Sequence, residues 1–211
     1  SNSCSIQYLS LKGMTLGDAF FSSETFIQNI YSNIMLEGLN LSGNHITDEG
    51  MKAIFNVLKV SPSIRHLSAV QNDCLGDCLM DLAALLTGAE VTPEEEIAFK
   101  NIGKLVGDKN KAIKDVNKKR KKAGQPELNE IMAPVERIAN VEGVNYIANR
   151  ALVSIDLSFN PLTAQSFTAA TDLLQKQSTE GKISSPALEL SLIFRGRASE
   201  FVLSKLTTAS E

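Results

Sequence analysis

The chain has 211 residues, 43% hydrophobic and 21% charged, with a net charge of -3; this is globular composition with room for one sizeable domain, and no apolar run is long enough to form a membrane helix. Trp is absent and aromatics are 6%, so a core must be built from Leu, Ile, Val and Ala. Three cysteines (Cys4, Cys74 and Cys78) are too sparse and odd a set for a disulfide scaffold, and no secretory signal is visible, which together point to a reducing, intracellular and most simply cytoplasmic setting.

Read in chain order, one frame keeps returning: L-x-x-L-x-L-x-x-N-x-L. It is first filled by Ile6, Leu9, Leu11 and Leu16, with Met14 where Asn belongs. Leu36, Leu39, Leu41, Asn44 and Ile46 fill it next, then Ile64, Leu67, Ala69, Asn72 and Cys74. It returns as Leu152, Ile155, Leu157, Asn160 and Leu162, and in a worn form as Ala187, Leu190 and Leu192, with Arg195 at the Asn position. The starts lie 30, 28, 88 and 35 residues apart. Three units keep all five positions, which chance explains poorly.

Positions one, four and six of such a unit point inward from a short strand and its flanking turns. The Asn side chain enters the bend and satisfies backbone groups that burial would otherwise leave unpaired. The remaining residues leave room for a full helix. Met51, Ile54, Phe55 and Leu58 form an i, i+3, i+4, i+7 stripe, as do Leu79, Leu82, Ala83 and Leu86, and a third stripe runs through Phe167, Ala170 and Leu174. Thr47, Asp77 and Thr163 stand where caps are expected. Strand, turn and helix in repetition predict an α/β solenoid of five or six units, with a parallel sheet on the concave side and helices on the convex side. The chain opens Ser-Asn-Ser without a Met, which reads as a cloning remnant on a piece of a longer protein.

The frame lapses between Gly88 and Asn149. Thr92, Pro93 and Glu95 spell a capping box with Pro at the first helical position, followed by apolar Phe99, Ile102, Leu105 and Val106. A second helix is predicted over Glu127–Ile138, striped by Leu128, Ile131, Met132, Val135 and Ile138 and kinked or restarted at Pro134. Two readings of the span compete. One takes it as a helical insertion. The other takes Ile113, Val116 and Lys118 as an oversized degenerate unit starting near 113. The stretch LVGDKNKAIKDVN resembles a helix-to-strand join, which favours the second reading, although a Lys at an inward position must snorkel to water.

The units resemble the ribonuclease-inhibitor-like leucine-rich repeats, the intracellular long-repeat subtype carried by tropomodulin, Ran GTPase-activating and CARMIL-type proteins. The resemblance covers roughly residues 6–87 and 150–195, and a period of 28 to 30 fits the upper range of such repeats. It implies a horseshoe over one domain, 1–211, acting as a non-catalytic protein-interaction scaffold. It also admits a regulatory module in cytoskeletal (actin) or small-GTPase signalling. No actin-binding or GTPase-activating motif can be matched, so no functional residue is carried over.

Chemistry is sparse. There is no G-x-S-x-G, Walker loop, H-E-x-x-H or G-x-G-x-x-G, and His45 falls in a solvated turn, so no catalytic residue or cofactor is assigned. Cys74 and Cys78, with His66 nearby in sequence, are spaced wrongly for a zinc knuckle, and Cys74 holds an inward position, so no metal is assigned.

Positions three, five and seven project from the strands. They place Tyr8 and Lys12, Asn40, His66 and Ser68, Ser154 and Asp156, and Glu189 on the concave face as partner-binding candidates. Ser10, Gly38, Ser42, Val70, Ser158, Ser191 and Ile193 lie between them. A unit at 113 would add Asp115, Asn117 and Lys119. Hot spots favour Trp, Tyr and Arg, and one Tyr among many serines also fits a plain polar sheet.

The run Lys118, Lys119, Arg120, Lys121 and Lys122 sits within 109–122, a stretch of net charge +7 that leaves -10 elsewhere. It reads as a solvated loop, as a nuclear-import tag, or as a patch for an acidic protein, acidic lipid or nucleic acid. The lack of interleaved aromatics and the acidic overall balance weigh against nucleic acid. Another protein is the expected partner; its identity, and any self-association, are not written in the sequence.

Overall fold

A computed structural model describes residues 6–131, 135–141, 144–149, 151–166, 168, 172 and 191–193, with backbone alone at 87, 89, 135–141, 144–148 and 191–193. In chain order the elements are β1 (Tyr8–Ser10), α1 (Asp18–Phe21), α2 (Glu24–Ser32), β2 (Gly38–Asn40), α3 (Asp48–Val60), β3 (His66–Ser68), α4 (Leu79–Thr87), β4 (Ala89–Glu90), α5 (Pro93–Lys122), β5 (Val135–Val141), β6 (Val144–Asn149), β7 (Ser154–Asp156) and β8 (Ser191–Ile193). Strands β1, β2, β3, β7 and β8 form one parallel sheet in that order, and β4, β6 and β5 form a second, antiparallel one.

The parallel sheet is the repeat made physical. Position four runs in register as Leu9, Leu39, Leu67 and Ile155, and the next strand brings Leu192, predicted at position six, into that row, so the predicted frame of the last unit is off by two residues. Positions one, four and six of the second, third and fourth units are buried: Leu36, Leu39 and Leu41, then Ile64, Leu67 and Ala69, then Leu152, Ile155 and Leu157. They pack against the predicted stripes of α3 and α4 in one continuous core. Each fully buried Leu, Ile, Phe or Met side chain among them contributes about 1.5–3 kcal/mol of transfer free energy. The first unit is looser: Leu9 and Leu11 are half-buried and Ile6 is exposed. The sheet thus has helices on one face and an open face opposite.

The Asn positions work as expected and do more. Asn72 Nδ2 donates to its own unit's Ala69 O at 3.0 Å and to Leu41 O of the preceding unit at 3.1 Å, while its Oδ1 accepts from Asn44 N and Ile46 N. Asn44 does the same toward Leu41 O, Leu11 O, Met14 N and Leu16 N, and Asn160 toward Leu157 O, Ala69 O and Cys74 N. The three side chains therefore stitch each unit to the one before it, and each of these three amides has both its oxygen and its nitrogen partnered.

Thr47 caps α3, its hydroxyl accepting from Glu49 N at 3.3 Å, and Thr163 accepts from Ser166 N at 3.2 Å. The stripe through Phe167, Ala170 and Leu174 lies outside the described side chains. Asp77 is not a cap: α4 starts at Leu79 behind Cys78, and Asp77 instead accepts from Ser166 Oγ at 3.4 Å. Helices α1 and α2 escape the frame altogether. They are held by Phe20, Phe21 and Phe26, with Phe21 and Phe26 edge-to-face at 5.3 Å, and by Ser23, which caps α2.

The span 88–149 is an insertion, not a degenerate unit. Residues 93–122 make one uninterrupted helix with the predicted capping box at Thr92 and Glu95, so no strand starts near 113. Asp115, Asn117 and Lys119 lie on that helix and not on the sheet. Lys118, assigned to an inward position by the rejected register, reaches water. Of the predicted apolar side, Ile102 and Val106 are buried with Val60 and partly buried Phe99, whereas Leu105 is exposed. Among the described residues of 127–138 there is no helix: 127–131 run beside α5, and 135–138 belong to β5. Asn110 and Asn117 cause this, each using both amide atoms on the backbone of Ile131 and Leu128, at 2.7–2.8 Å. Pro134 lies outside the described residues. The insertion is therefore helix plus hairpin.

Two polar contacts fasten it. Lys59 Nζ, nearly buried, lies 2.7 Å from Glu95 Oε1 and 3.0 Å from Glu90 O. Asn149 Oδ1 accepts from Ala151 N and Leu152 N, and its Nδ2 donates to Leu58 O and Ser61 O. Asn149 thereby returns the chain to the core at the start of the fourth unit.

Candidate interaction surface

The open face of the parallel sheet carries the predicted side chains in rows. Position three runs Tyr8, Gly38, His66 and Ser154 across the strands, and position five runs Ser10, Asn40, Ser68 and Asp156; Ser191 and Ile193, predicted at positions five and seven, continue these two rows because the last unit pairs two residues out of its predicted frame. Tyr8, Asn40, His66, Ser68, Ser154 and Asp156 line a single shallow groove of about 400 Å³. Tyr8 is 66% exposed, and one edge of its ring lies over Gly38, where a Cβ would stand 2.4 Å from Cδ1. That glycine is what lets the ring sit there.

His66 Nδ1 and Ser154 Oγ are 2.9 Å apart across β3 and β7. This is a strand-to-strand pair, and among the described residues no carboxylate hydrogen-bonds the imidazole. Asn40 and Asp156 each turn one oxygen to the N–H two residues on, Ser42 N at 3.0 Å and Ser158 N at 2.9 Å, leaving the rest of the side chain toward the groove. Lys12 is exposed beside a second depression formed by Ser42, Gly43, Ser68 and Gln71. Position seven does not project throughout: Ser42 and Ser158 are buried, Ser42 sharing a hydrogen bond with Ser68 Oγ at 3.0 Å. Glu189 lies outside the described residues. Lys118, Lys119, Arg120, Lys121 and Lys122 lie at the C-terminal end of α5 and not on the sheet.

One cluster was not visible in the frame. Asp48 accepts from Leu75 N, Gly76 N and Cys78 N at 2.9–3.0 Å. Cys74 Sγ lies 3.2 Å from Asp48 Oδ1 and 3.0 Å from Cys78 Sγ. Burial opposes ionisation of Asp48, but the N–H donors of Cys78 and Leu75 and the two thiols outweigh it and hold the carboxyl down at about 2. The hydrogen bond with Cys74, together with burial, drives the Cys78 thiol far up. The three ligand atoms lie within 4.8 Å of one another, close enough to share a thiophilic ion. Yet Asp18 occupies the same place one unit earlier. There it accepts Thr47 N at 2.9 Å and Thr47 Oγ1 at 2.6 Å and faces Ile46 and Gly50. The aspartate is an inter-unit tie, and the Cys–Cys pair replaces Ile–Gly at similar volume. The signal was the spacing of Asp18, Asp48 and Asp77, each tying its unit to the next.

With this geometry in place, a family model described as Leucine Rich repeat matches residues 32–55, the segment from the end of α2 through β2 into α3. The match supports a leucine-rich-repeat protein. No curated protein matches the chain. The parallel sheet with its helices fits an α/β leucine-rich-repeat fold. No helix among the described residues is long and apolar enough to cross a membrane.

Proposed function

We propose that this chain is a non-catalytic, intracellular protein-interaction scaffold, a horseshoe of the long-repeat type, and that it binds its partner on the open sheet face. Leucine-rich repeats commonly mediate protein–protein interaction. The observation that carries the reading is the groove itself: Tyr8, His66 and Asp156 line one depression across strands tied together by the Asn ladder. A preorganised face of that kind loses little conformational entropy on binding. Among the described residues no carboxylate orients the imidazole of the Ser154–His66 pair, which favours recognition over catalysis. The test is affinity capture of partners by the wild-type chain and by Tyr8→Ala, His66→Ala and Asp156→Ala variants that keep the native melting temperature. Loss of the same partners in all three supports the face. Retention by all three moves binding elsewhere, and a hydrolase activity lost with His66→Ala or Ser154→Ala overturns the non-catalytic reading.

A second reading rests on α5. Its 30 residues span about 45 Å, but only the first half packs through Ile102 and Val106. On the far half, Lys111, Lys114, Lys118, Lys121 and Lys122 recur at i, i+3, i+7, i+10 and i+11, one stripe beside the face held by Asn110 and Asn117. Lys114 pairs with Glu130 and Lys118 with Asp115. This supports a basic arm for an acidic protein surface. Binding through it falls steeply with salt and disappears when Lys118–Lys122 are neutralised; salt-insensitive binding sinks the idea.

A further inference from the structure

Four non-glycine residues have positive φ among the described residues: Thr15, His45, Gln71 and Phe159. Three of them, His45, Gln71 and Phe159, line one cleft of about 560 Å³ at the C-terminal ends of β2, β3 and β7, together with Asp73 and Pro161. Position eight of every described unit is left-handed, at φ 68, 66, 56 and 60 for Gly13, Gly43, Gln71 and Phe159. The first two units use glycine there, which takes that conformation without strain. The third and fourth place a side chain in a conformation that L-residues resist, most of all a bulky one. Burial does not offset the strain, because Phe159 is 62% exposed and Gln71 is exposed too. Backbone outliers that packing does not explain gather at binding sites.

The lining chemistry is specific. His45 Nδ1 lies 3.1 Å from Asp73 Oδ2 across adjacent turns. Both side chains are more than half exposed. Among the described residues no donor reaches Asp73 Oδ1. The cleft therefore brings an exposed phenyl ring, a carboxylate with a free oxygen and an exposed side-chain amide to line one space. A planar cation with several donors satisfies all three: its face stacks on the ring while its N–H groups reach the carboxylate and the amide oxygen. We propose that this turn-edge cleft receives an arginine side chain from a basic segment of a protein partner. The inference shares the premise that the chain is an interaction module, but it uses the turn edge and not the open face.

The test is a chemical-shift titration of the ¹⁵N-labelled chain with a capped Gly-Gly-Arg-Gly-Gly peptide, against its Lys and norleucine counterparts. The expected result is saturable shifts at the amides of Gly43, Gln71, Asp73 and Asn160, at least about fivefold weaker with Lys and absent with norleucine. Asp73→Asn and Phe159→Gly abolish them. Phe159→Gly also raises the melting temperature, since glycine is free in the left-handed region; a purely structural Phe159 predicts the opposite sign. Wild-type titration by Phe159→Gly, or no saturable shift in the cleft, overturns the proposal. Shifts confined to the open face around Tyr8 and His66 also overturn it while leaving the sheet-face reading standing. Broadening of cleft resonances with rising protein concentration in the absence of peptide, removed by neutralising Lys118–Lys122, assigns the cleft to a second copy of this chain and overturns the partner peptide.

Discussion

Asn72 holds the backbone N–H of Asn44, its counterpart one unit earlier, at 2.8 Å on Oδ1. Since Asn72 also serves Ile46 N, Leu41 O and Ala69 O, Asn72→Ala leaves the N–H groups of Asn44 and Ile46 unpaired, while Leu41 O and Ala69 O each lose one of two donors and keep Asn44 and Asn160. We expect a loss of about 3 kcal/mol or more, read as a lower urea midpoint with unchanged slope. Asn72→Asp keeps the two accepted bonds but loses both donors, and falls between.

The nearly buried Lys59–Glu95 pair links α3 to the insertion. Lys59→Met strands a carboxylate that also caps α5, and costs about 3–5 kcal/mol. The double change Lys59→Met with Glu95→Leu costs less than Lys59→Met alone, because no charge is left behind. A double-mutant cycle in urea measures the difference; additive losses disprove the coupling.

Asp48 makes stability depend on acid. Its carboxyl is held at about 2, below its ordinary 3.8, so the folded state favours the ionised form. The stabilisation is complete above pH 4 and is lost as pH falls from about 4 toward 2. Asp48→Asn removes that contribution and flattens the stability profile in this window. A profile parallel to wild type between pH 4 and 2 contradicts the assignment.

Gly38→Ala forces the Tyr8 ring off the sheet, since the new methyl meets the ring edge at 2.4 Å. The ring is exposed and can move, so stability drops by only about 1 kcal/mol or less. Partner binding at the groove falls as far as it does with Tyr8→Ala. If Gly38→Ala binds like wild type, the Tyr8 ring is not part of the recognised surface.

The repeat was legible because a strict frame of Leu and Asn leaves few physical alternatives. Leu39, Leu67 and Ile155 land in register, and Asn44, Asn72 and Asn160 carry the bonds their position predicts. The insertion was misread for a local reason. Asn110 and Asn117 use both amide atoms to hold the returning chain beside α5, and no periodicity records a side-chain clamp between segments 11 and 21 residues apart. Val135 and Ile138 suit a strand as well as a helix, and tertiary pairing with β6 decides between them. Position seven failed where small serines turn inward to bond one another. The groove residues were found because alternation along a strand is fixed. The turn-edge cleft was missed because left-handed backbone at Gln71 and Phe159 is invisible until Gly13 and Gly43 are seen to share their position.

The insertion leaves the main sheet after α4 and rejoins it before β7, yet β3 and β7 pair as next neighbours. To the sheet, those residues count as one long connection between consecutive strands. Such a connection is cheap to vary, since doubling a loop's length adds only about 0.6 kcal/mol to its closure. A shorter connection would leave the strand order and the asparagine rungs unchanged, at the loss of the contacts that Lys59 and Val60 make with the arm. The two ends of the strands are therefore constrained differently: the helix-to-strand end tolerates a long excursion, while the strand-to-turn end is bound by its asparagines.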